Sequence, residues 1–236
     1  MAFVIAGSSI DVSTPGTIVG VDPDVNPFPD SAGAFQISST SANDGLTDSG
    51  CRELRADVLV LKTSGDLVRV AEVIGMGGTT DVTAFGTVPD SLGVARIRLM
   101  RCVKVGDPDA EPSAPEGVIT ATIGGVPACR IKPGEGRSMQ VVFSTASKRP
   151  EAITTARVRM SRPGGGQDPS QAQLWMRLRG AGWEKAGMPL MNPKEEMDVT
   201  FDFTPPLSLF AESDLRVTVL DTGGVNLDIF TTFVVQ

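Results

Sequence analysis

The side chains that could carry chemistry in this chain are carboxylates, lysines and arginines, because the 236-residue sequence contains no histidine. Histidine is the commonest general base and the commonest metal ligand in proteins. A Ser-His-Asp triad, a Cys-His pair and a histidine-containing zinc site are therefore excluded. Any catalytic hypothesis has to rest on the remaining charged groups or on the backbone.

One group of oxygen-bearing side chains has the spacing of a calcium loop. Asp22, Asp24 and Asn26 alternate as in the first part of an EF-hand. The glycine and the distal glutamate of that motif are missing, and Pro27 follows at once. We interpret the segment as a solvated turn and expect no metal and no cofactor.

A second group could place carboxylates on one face of a strand. Asp198 and Asp202, with Glu195 and Glu196 nearby, resemble the carboxylate pairs of glycosidases in type and proximity. They alternate with apolar residues, as solvent-facing positions of a strand do, and the chain has only two tryptophans and no tyrosine to hold a sugar. We therefore predict that the protein is not an enzyme.

The arginines are the better candidates for an interaction site. Arg157 and Arg159 point outward from one predicted strand, and Arg177 and Arg179 point outward from the next. If the two strands pair, they form a positive strip suited to a carboxylate-rich partner, through the bidentate contacts that guanidinium groups make. A solvated outer face is the alternative. Trp175 is predicted to point outward beside them, so carbohydrate binding is an alternative function.

Charge and cysteine content narrow the classes of partner and compartment. The net charge is −7, which is unfavourable for binding a phosphate backbone, so we expect no nucleic-acid partner. The spacing of Cys51, Cys102 and Cys129 matches no metal motif, and we expect buried, reduced thiols in a protein assembled in a cytoplasm. The sequence shows neither a signal peptide nor an apolar run long enough for a membrane helix.

Apolar and polar residues alternate along most of the chain from Phe35 onward, which is typical of half-buried strands. The 26 glycines and 17 prolines favour many turns between short strands. We predict an all-β fold, an antiparallel β-sandwich or jelly roll, built as one large or two consecutive sandwiches. In the predicted strand 54–61, Leu59 and Leu61 make the second face apolar too, so this strand is either buried on both faces or lies at a subunit contact.

The predicted organisation has three parts. Residues 1–34 form an extended N-terminal arm, 35–115 a β-rich domain, and 116–236 a sandwich or jelly-roll domain. The boundary lies in the proline- and acid-rich segment 106–117. The arm includes Phe28 in a stretch with three prolines, and it lies either across a neighbouring subunit or over its own domain. If it crosses a neighbour, deleting residues 1–32 leaves the sandwich folded but weakens assembly.

The longest distinctive motif is a polar loop, Ser-Ser-Thr-Ser-Ala-Asn-Asp-Gly at 38–45, followed by Gly50-Cys51-Arg52 and a hairpin that turns at Ser64-Gly65-Asp66. A Gly-Gly-Thr-Thr turn follows at 77–80. This succession resembles a segment of uncharacterised virion structural proteins of tailed bacteriophages. The resemblance extends over 35–236 through the segments Ala156–Met160, Gln173–Arg179, Thr204-Pro205-Pro206 and Leu227–Val235.

The resemblance implies a non-enzymatic virion protein assembled in the host cytoplasm. Its expected role is that of a capsid decoration (cement) protein that binds the outer shell. Its expected partners are the major capsid protein or other virion proteins and further copies of itself, often as trimers, with no nucleic acid and no membrane. The alternative is a tail or head-fibre component with a carbohydrate-binding β-sandwich. The candidate contact residues are Arg157, Arg159, Arg177, Arg179, Trp175, Leu59, Leu61 and Phe28.

Overall fold

The computed structural model describes residues 3–12, 17–46, 49–103, 114–140, 142–148, 151–161, 170–179, 181–186, 190–192, 196–222 and 227–236. Sixteen strands and one short helical turn, α1 (Asn43–Leu46), make up the secondary structure of these residues. The strands are β1 (Phe3–Val12), β2 (Phe35–Ser39), β3 (Glu53–Lys62), β4 (Leu67–Gly75), β5 (Val82–Ala84), β6 (Ser91–Val103), β7 (Ile119–Ile123), β8 (Val126–Ile131), β9 (Val142–Ser144), β10 (Glu151–Ser161), β11 (Ser170–Leu178), β12 (Glu184–Lys185), β13 (Leu190–Asn192), β14 (Glu196–Leu209), β15 (Ser213–Asp221) and β16 (Leu227–Val235).

The strands are organised into two antiparallel β-sandwiches, which confirms the predicted fold class. The inserted sandwich, Asp24–Ser138, contains the sheets β5-β2-β7-β8 and β4-β3-β6. The interrupted sandwich combines Met1–Pro23 with Met139–Gln236 and contains the sheets β1-β16-β10-β14 and β12-β11-β15-β9. One sandwich is thus inserted, in chain order, between the first strand and the remaining strands of the other.

This division differs from the predicted one. The predicted boundary between residues 115 and 116 would separate β2 from β7, yet these strands pair from Phe35 opposite Ile123 to Ser39 opposite Ile119. A polar loop shows where the chain reaches the surface, but it does not show with which earlier strand the next strand pairs. Residues 106–113 of the predicted boundary lie outside the described part of the chain.

The N-terminal arm is also corrected. Residues 3–12 form a strand that pairs with the C-terminal strand β16, from Phe3 opposite Val235 to Ser9 opposite Ile229. Further along, Val19 is fully buried in the core of the interrupted sandwich, and its N–H donates to the carbonyl of Val217 at 2.9 Å. A strand whose partner lies at the other end of the chain gives no local signal, because pairing register is a long-range property.

Each sandwich encloses one apolar core, to which both of its sheets contribute. In the interrupted sandwich the largest fully buried side chains are Phe143, Ile153, Met160 and Phe233. In the inserted sandwich they are Phe35, Ile37, Leu54, Met100, Ile119, Ile123 and Ile131. Leucine, isoleucine and phenylalanine at alternate positions place these side chains inward, and the burial of their apolar surface is the main favourable term in folding.

β3 is the central strand of its sheet and is buried on both faces in its middle part, from Ala56 to Val60. Val58 and Val60 belong to the core, while Asp57 and Leu59 are buried on the opposite face. Burial on both faces was one of the two predicted alternatives, and the structure confirms it for Leu59. Leu61 near the end of the strand is only half-buried. No helix among the described residues has the length and apolar character to cross a membrane.

Candidate functional site

The distinctive loop at 38–45 folds around a buried carboxylate. Asp44 is fully buried in the inserted sandwich. Its Oδ1 accepts hydrogen bonds from the N–H groups of Cys51 at 2.9 Å and Glu116 at 3.0 Å. Its Oδ2 accepts from the Ser39 hydroxyl at 2.5 Å and from the N–H of Gly117 at 3.0 Å. One side chain therefore ties the loop around Ser39 and Cys51 to the segment at Glu116 and Gly117, more than 70 residues further along the chain.

These hydrogen bonds determine the ionisation state of Asp44. Burial by itself raises the pKa of a carboxyl group, because the charged form loses its hydration. Donors from Ser39, Glu116, Cys51 and Gly117 stabilise the charged form, and together they hold the pKa of Asp44 below its ordinary value. Asp44 is thus a charged structural anchor whose acceptor positions are occupied, and it is poorly placed to take part in chemistry.

The glycines of the motif permit this close packing. Gly45 has a φ of +103°, which side-chain-bearing residues rarely adopt, and a Cβ there would overlap the carbonyl oxygen of Met76. A Cβ at Gly117 would overlap the backbone nitrogen of Ser41. The loop motif at 38–45 therefore has a structural role in the inserted sandwich.

The three cysteines are free and buried, as predicted. A hydrogen bond with Cys102 and burial both raise the pKa of Cys51 far above its ordinary value. Burial raises the pKa of Cys129 to about 12. A thiol with so high a pKa remains protonated at neutral pH and is a poor nucleophile.

The two predicted arginine pairs do not form one positive strip. Arg157 and Arg159 lie on β10, between β14 and β16, whereas Arg177 lies on β11, between β12 and β15. Because β10 and β11 belong to different sheets, the strip predicted from their pairing is wrong. Strands adjacent in sequence often pair, but in a sandwich they also cross between sheets, and alternation alone does not distinguish the two cases.

Each of these arginines lies close to a carboxylate of its own sheet. Arg157 binds Asp198 through Nε at 2.9 Å, and both side chains are largely exposed. Arg159 lies opposite Asp198 in the β10–β14 register. On the other sheet, Arg177 Nε donates to Asp214 Oδ2 at 3.0 Å, and Arg179 lies 3.6 Å from Glu212. The arginines thus neutralise acidic residues of the same chain.

The two ion pairs differ in burial, and this difference predicts different costs of removal. Arg177→Gln removes a charged hydrogen-bond donor from the buried carboxylate of Asp214, so we expect the interrupted sandwich to lose about 2–3 kcal/mol of stability. Arg157→Gln breaks an exposed pair, and we expect no measurable change. Urea unfolding of both variants measures the difference, and equal stabilities would contradict this account.

The candidate carboxylates also have local partners. Asp24 forms a bidentate ion pair with Arg130 at 2.6 and 2.7 Å, and the side chain of Asn26 accepts a hydrogen bond from the N–H of Phe28. Asp202 accepts a hydrogen bond from Thr155 at 3.2 Å. Glu195 lies outside the described residues. Among the residues that the structure describes, no group of three histidine, cysteine or acidic side chains could hold a metal ion.

Phe28 is packed within its own sandwich. Its side chain is buried, and the guanidinium of Arg96 lies 5.7 Å from the centre of its ring. Arg96 lies opposite Leu59 in the β3–β6 register, so the two share the face on which Phe28 packs. The prediction that Phe28 and Leu59 serve as contacts to a neighbouring subunit is therefore wrong, because neither side chain is accessible in the folded chain.

Sequence reasoning missed a cluster that joins two arginines to a tryptophan. The ring of Trp183 lies 4.0 Å from the guanidinium of Arg216 and 4.5 Å from that of Arg177. Trp175, opposite Arg216 in the β11–β15 register, is half-buried, and its indole N–H donates to Thr218 at 2.8 Å. The signal was available, because the apolar alternation of Leu215, Val217 and Val219 places Arg216 on the outward face.

The strand β4 forms an open edge of the inserted sandwich. It pairs with β3 over nine residues without a register shift, and no described strand pairs with it on the other side. The Met76 N–H donates to the carbonyl of Arg52 and the Lys62 N–H to that of Asp66, so even-numbered residues direct their backbone groups to β3. In an antiparallel ladder the intervening residues, including Ala71 and Val73, direct theirs to the open side.

Charged residues usually protect such an edge from further pairing, but those of β4 are engaged within the chain. Arg69 binds Asp57 on the neighbouring strand through Nε, at 2.9 and 3.0 Å. Glu72 accepts a hydrogen bond from the N–H of Phe85 at 3.3 Å. Val68 and Val73 are 39% and 43% exposed. The edge therefore presents a regular backbone and apolar side chains.

The other long edges are interrupted or covered. β14 contains Pro205 and Pro206, which lack a backbone N–H, and the β1–β16 ladder shifts register after Ser9. β8 contains Pro127, whose carbonyl accepts from the N–H of Asn26. On β6, the carbonyl of Val94 accepts a hydrogen bond from the N–H of Gly33, and the carbonyl of Met100 accepts one from the N–H of Ser138. Among the edge strands of the described residues, β4 thus has the longest unbroken pairing, nine residues against seven in β1 and seven in β14.

Comparisons with known proteins identify no family. No family model and no curated protein matches the chain. Among solved structures, that of infectious bursal disease virus Gx strain aligns with 100% of this chain and 71% of its own, at 9% identity and a TM-score of 0.23. The STIV MCP aligns over 99% and 96%, at 10% identity and a TM-score of 0.23.

A carbohydrate-binding module of the β-sandwich superfamily aligns over 98% of this chain and 95% of its own, at 10% identity and a TM-score of 0.20. TM-scores of this size carry no argument about function. The fold assignment therefore rests on the strand pairing itself.

Proposed function

We propose that the chain is a non-enzymatic structural protein of a bacteriophage virion, a capsid decoration protein that binds the outer shell through subunit contacts. The observation that carries this proposal is the open, regular edge of β4. An exposed edge of this kind accepts an additional strand from another chain, and main-chain hydrogen bonds then supply the affinity. The resemblance of the 38–80 segment to virion structural proteins supports the same role.

The partners follow from the chemistry of the edge and of the whole chain. A β-strand of the major capsid protein, of another virion protein or of a second copy pairs with the outward backbone groups of Ala71 and Val73 and covers the side chains of Val68 and Val73. Repeated copies on a shell add avidity to a contact that is small in each copy. The net charge of −7 disfavours a nucleic-acid partner.

Substitution of Val73 by lysine tests this proposal. The side chain is 43% exposed, so Val73→Lys leaves the fold intact, while a charge on the open edge opposes strand addition. We expect the affinity for shells that lack this chain, or self-association in analytical ultracentrifugation, to fall by about tenfold, which corresponds to about 1.4 kcal/mol.

Val126→Lys is the matched control, since Val126 is 43% exposed as well but lies at the β7–β8 turn. It is expected to assemble as the unmodified chain does. If both variants bind shells and self-associate normally, the edge of β4 is not the contact. If neither the unmodified chain nor the variants bind, the decoration role is wrong.

The alternative is a tail or head-fibre component with a carbohydrate-binding sandwich. It required an open Trp175, but this indole is half-buried and bonded to Thr218. The observation that favours the alternative is instead the cluster of Trp183, Arg177 and Arg216. Retention on host polysaccharide tests it, independently of shell binding.

A further inference from the structure

Arg216 is a partly buried cation without a partner for its Nε. It lies on β15 in the interrupted sandwich, and its Nε is buried and makes no hydrogen bond with any residue that the structure describes. The ring of Trp183 packs against the guanidinium at 4.0 Å. A buried N–H donor that lacks an acceptor costs free energy, which a ligand that supplies the acceptor recovers.

The carboxylate two residues away does not satisfy Arg216. Asp214 Oδ1 accepts from the Ser144 hydroxyl at 2.6 Å, and Oδ2 accepts from Arg177 Nε at 3.0 Å. Asp214 is buried, and neither of these hydrogen bonds comes from Arg216. Two guanidinium groups thus lie against Trp183, and the carboxylate of Asp214 is hydrogen-bonded to the one of Arg177.

The electrostatics of Arg216 agree with this geometry. Burial and the nearby charge of Arg177 lower the pKa of Arg216. Both effects mean that the charged form is less well stabilised here than in water. An anion bound beside the two guanidinium groups removes this penalty.

The surrounding aromatic groups indicate what kind of anion fits. Trp183 is half-buried, and Trp175 lies opposite Arg216 across the β11–β15 ladder. An indole offers a flat apolar surface with a polar edge, and such a surface suits a ligand that has both an apolar face and a polar rim. A sugar ring has that shape, and an acidic sugar adds a carboxylate that a guanidinium binds through two parallel hydrogen bonds.

We propose that Arg216, Arg177 and Trp183 form a binding site for the carboxylate of an acidic sugar. The site lies within the interrupted sandwich and uses none of the residues of the β4 edge. It gives the protein a second activity, the recognition of an acidic polysaccharide, that does not depend on shell binding.

The experiment uses oligogalacturonate as the ligand, with tryptophan fluorescence and calorimetry as the two readouts at constant ionic strength. The methyl-esterified oligomer has the same sugar ring without the charge, and oligoglutamate has the carboxylates without the sugar. We expect oligogalacturonate to bind and to change the fluorescence, and both comparison ligands to bind at least about tenfold more weakly.

Arg216→Gln is expected to weaken oligogalacturonate binding by about tenfold or more, and Arg216→Lys, which retains the charge but not the planar fork, by a smaller factor. Arg157→Gln, which removes an exposed arginine on the other sheet, leaves binding unchanged. Thermal melting verifies that each variant is folded, and analytical ultracentrifugation verifies that assembly through β4 is retained.

Three results would overturn the proposal. The first is no binding of oligogalacturonate by the unmodified chain, and the second is that folded Arg216→Gln and Arg216→Lys bind it as tightly as the unmodified chain does. The third is that the unmodified chain binds the methyl ester as tightly as oligogalacturonate. If oligoglutamate bound as tightly as oligogalacturonate or more tightly, the site would be one for an acidic peptide, and the acidic-sugar assignment would be wrong. None of these results bears on Val73→Lys, so the site and the decoration role fail separately.

Discussion

Replacing Asp44 with alanine is expected to destabilise the inserted sandwich by about 4 kcal/mol, a large part of the stability of an ordinary domain. The variant removes the acceptor of four hydrogen bonds, from Ser39, Cys51, Glu116 and Gly117. Buried donors that lose their acceptor retain the full cost of their desolvation. Because three loop segments meet at this carboxylate, we expect the whole sandwich, and not one loop alone, to unfold more readily.

Urea unfolding at neutral pH, followed by the fluorescence of a probe placed in the inserted sandwich, measures this loss. Asp44→Asn keeps the shape but replaces one acceptor by a donor, so its destabilisation is expected to lie between those of Asp44→Ala and the unmodified chain. Asp24→Ala is the control on the surface, because that carboxylate is 63% exposed and its partner Arg130 keeps a hydrogen bond to Thr120. An Asp44→Ala variant as stable as the Asp24→Ala variant would show that the loop does not depend on the anchor.

The same carboxylate predicts a response to acid. The pKa of Asp44 is lower in the folded chain than its ordinary value of 3.8. A group of this kind stabilises the fold fully above its unfolded pKa, and the contribution disappears as the pH falls through the folded pKa. The inserted sandwich should therefore lose stability below pH 3.8, and the Asp44→Asn variant should lack this part of the acid response.

Deleting residues 1–12 is expected to unfold the interrupted sandwich under conditions in which the full chain is folded. The deletion removes β1 and leaves β16 as an unpaired edge along the segment from Ile229 to Val235. Hydrogen bonds of the ladder are lost, and an exposed apolar edge favours aggregation. This expectation opposes the one drawn from the sequence, in which deletion of residues 1–32 leaves the sandwich folded and weakens assembly.

Hydrogen exchange measured by mass spectrometry locates the effect. Fast exchange in β16 and β10, with unchanged exchange in β3 and β6, is expected, because the two sandwiches have separate cores. Addition of a synthetic peptide with the sequence of residues 1–12 should restore slow exchange in β16. A truncated chain that exchanges and melts as the full chain does would place β1 outside the stable fold.

The sequence predicted the classes of structure that depend on local pattern. Alternation identified the strands because burial on one face of a sheet repeats every two residues. The same pattern predicted the two-sided burial of Leu59, and the composition predicted buried cysteines. The polar motif at 38–45 was recognised as unusual, but the carboxylate at its centre was not, because its donors come from residues as distant as Glu116 and Gly117.

The tertiary structure decided which strands meet. β1 pairs with the last strand, an entire sandwich lies between them in the chain, and β10 and β11 lie in different sheets. These facts separated the four predicted arginines and brought Arg177 and Arg216 to one tryptophan. Alternation indicates which face of a strand is buried. The partner of a strand is selected by the packing of the whole core, and no short segment of sequence carries that information.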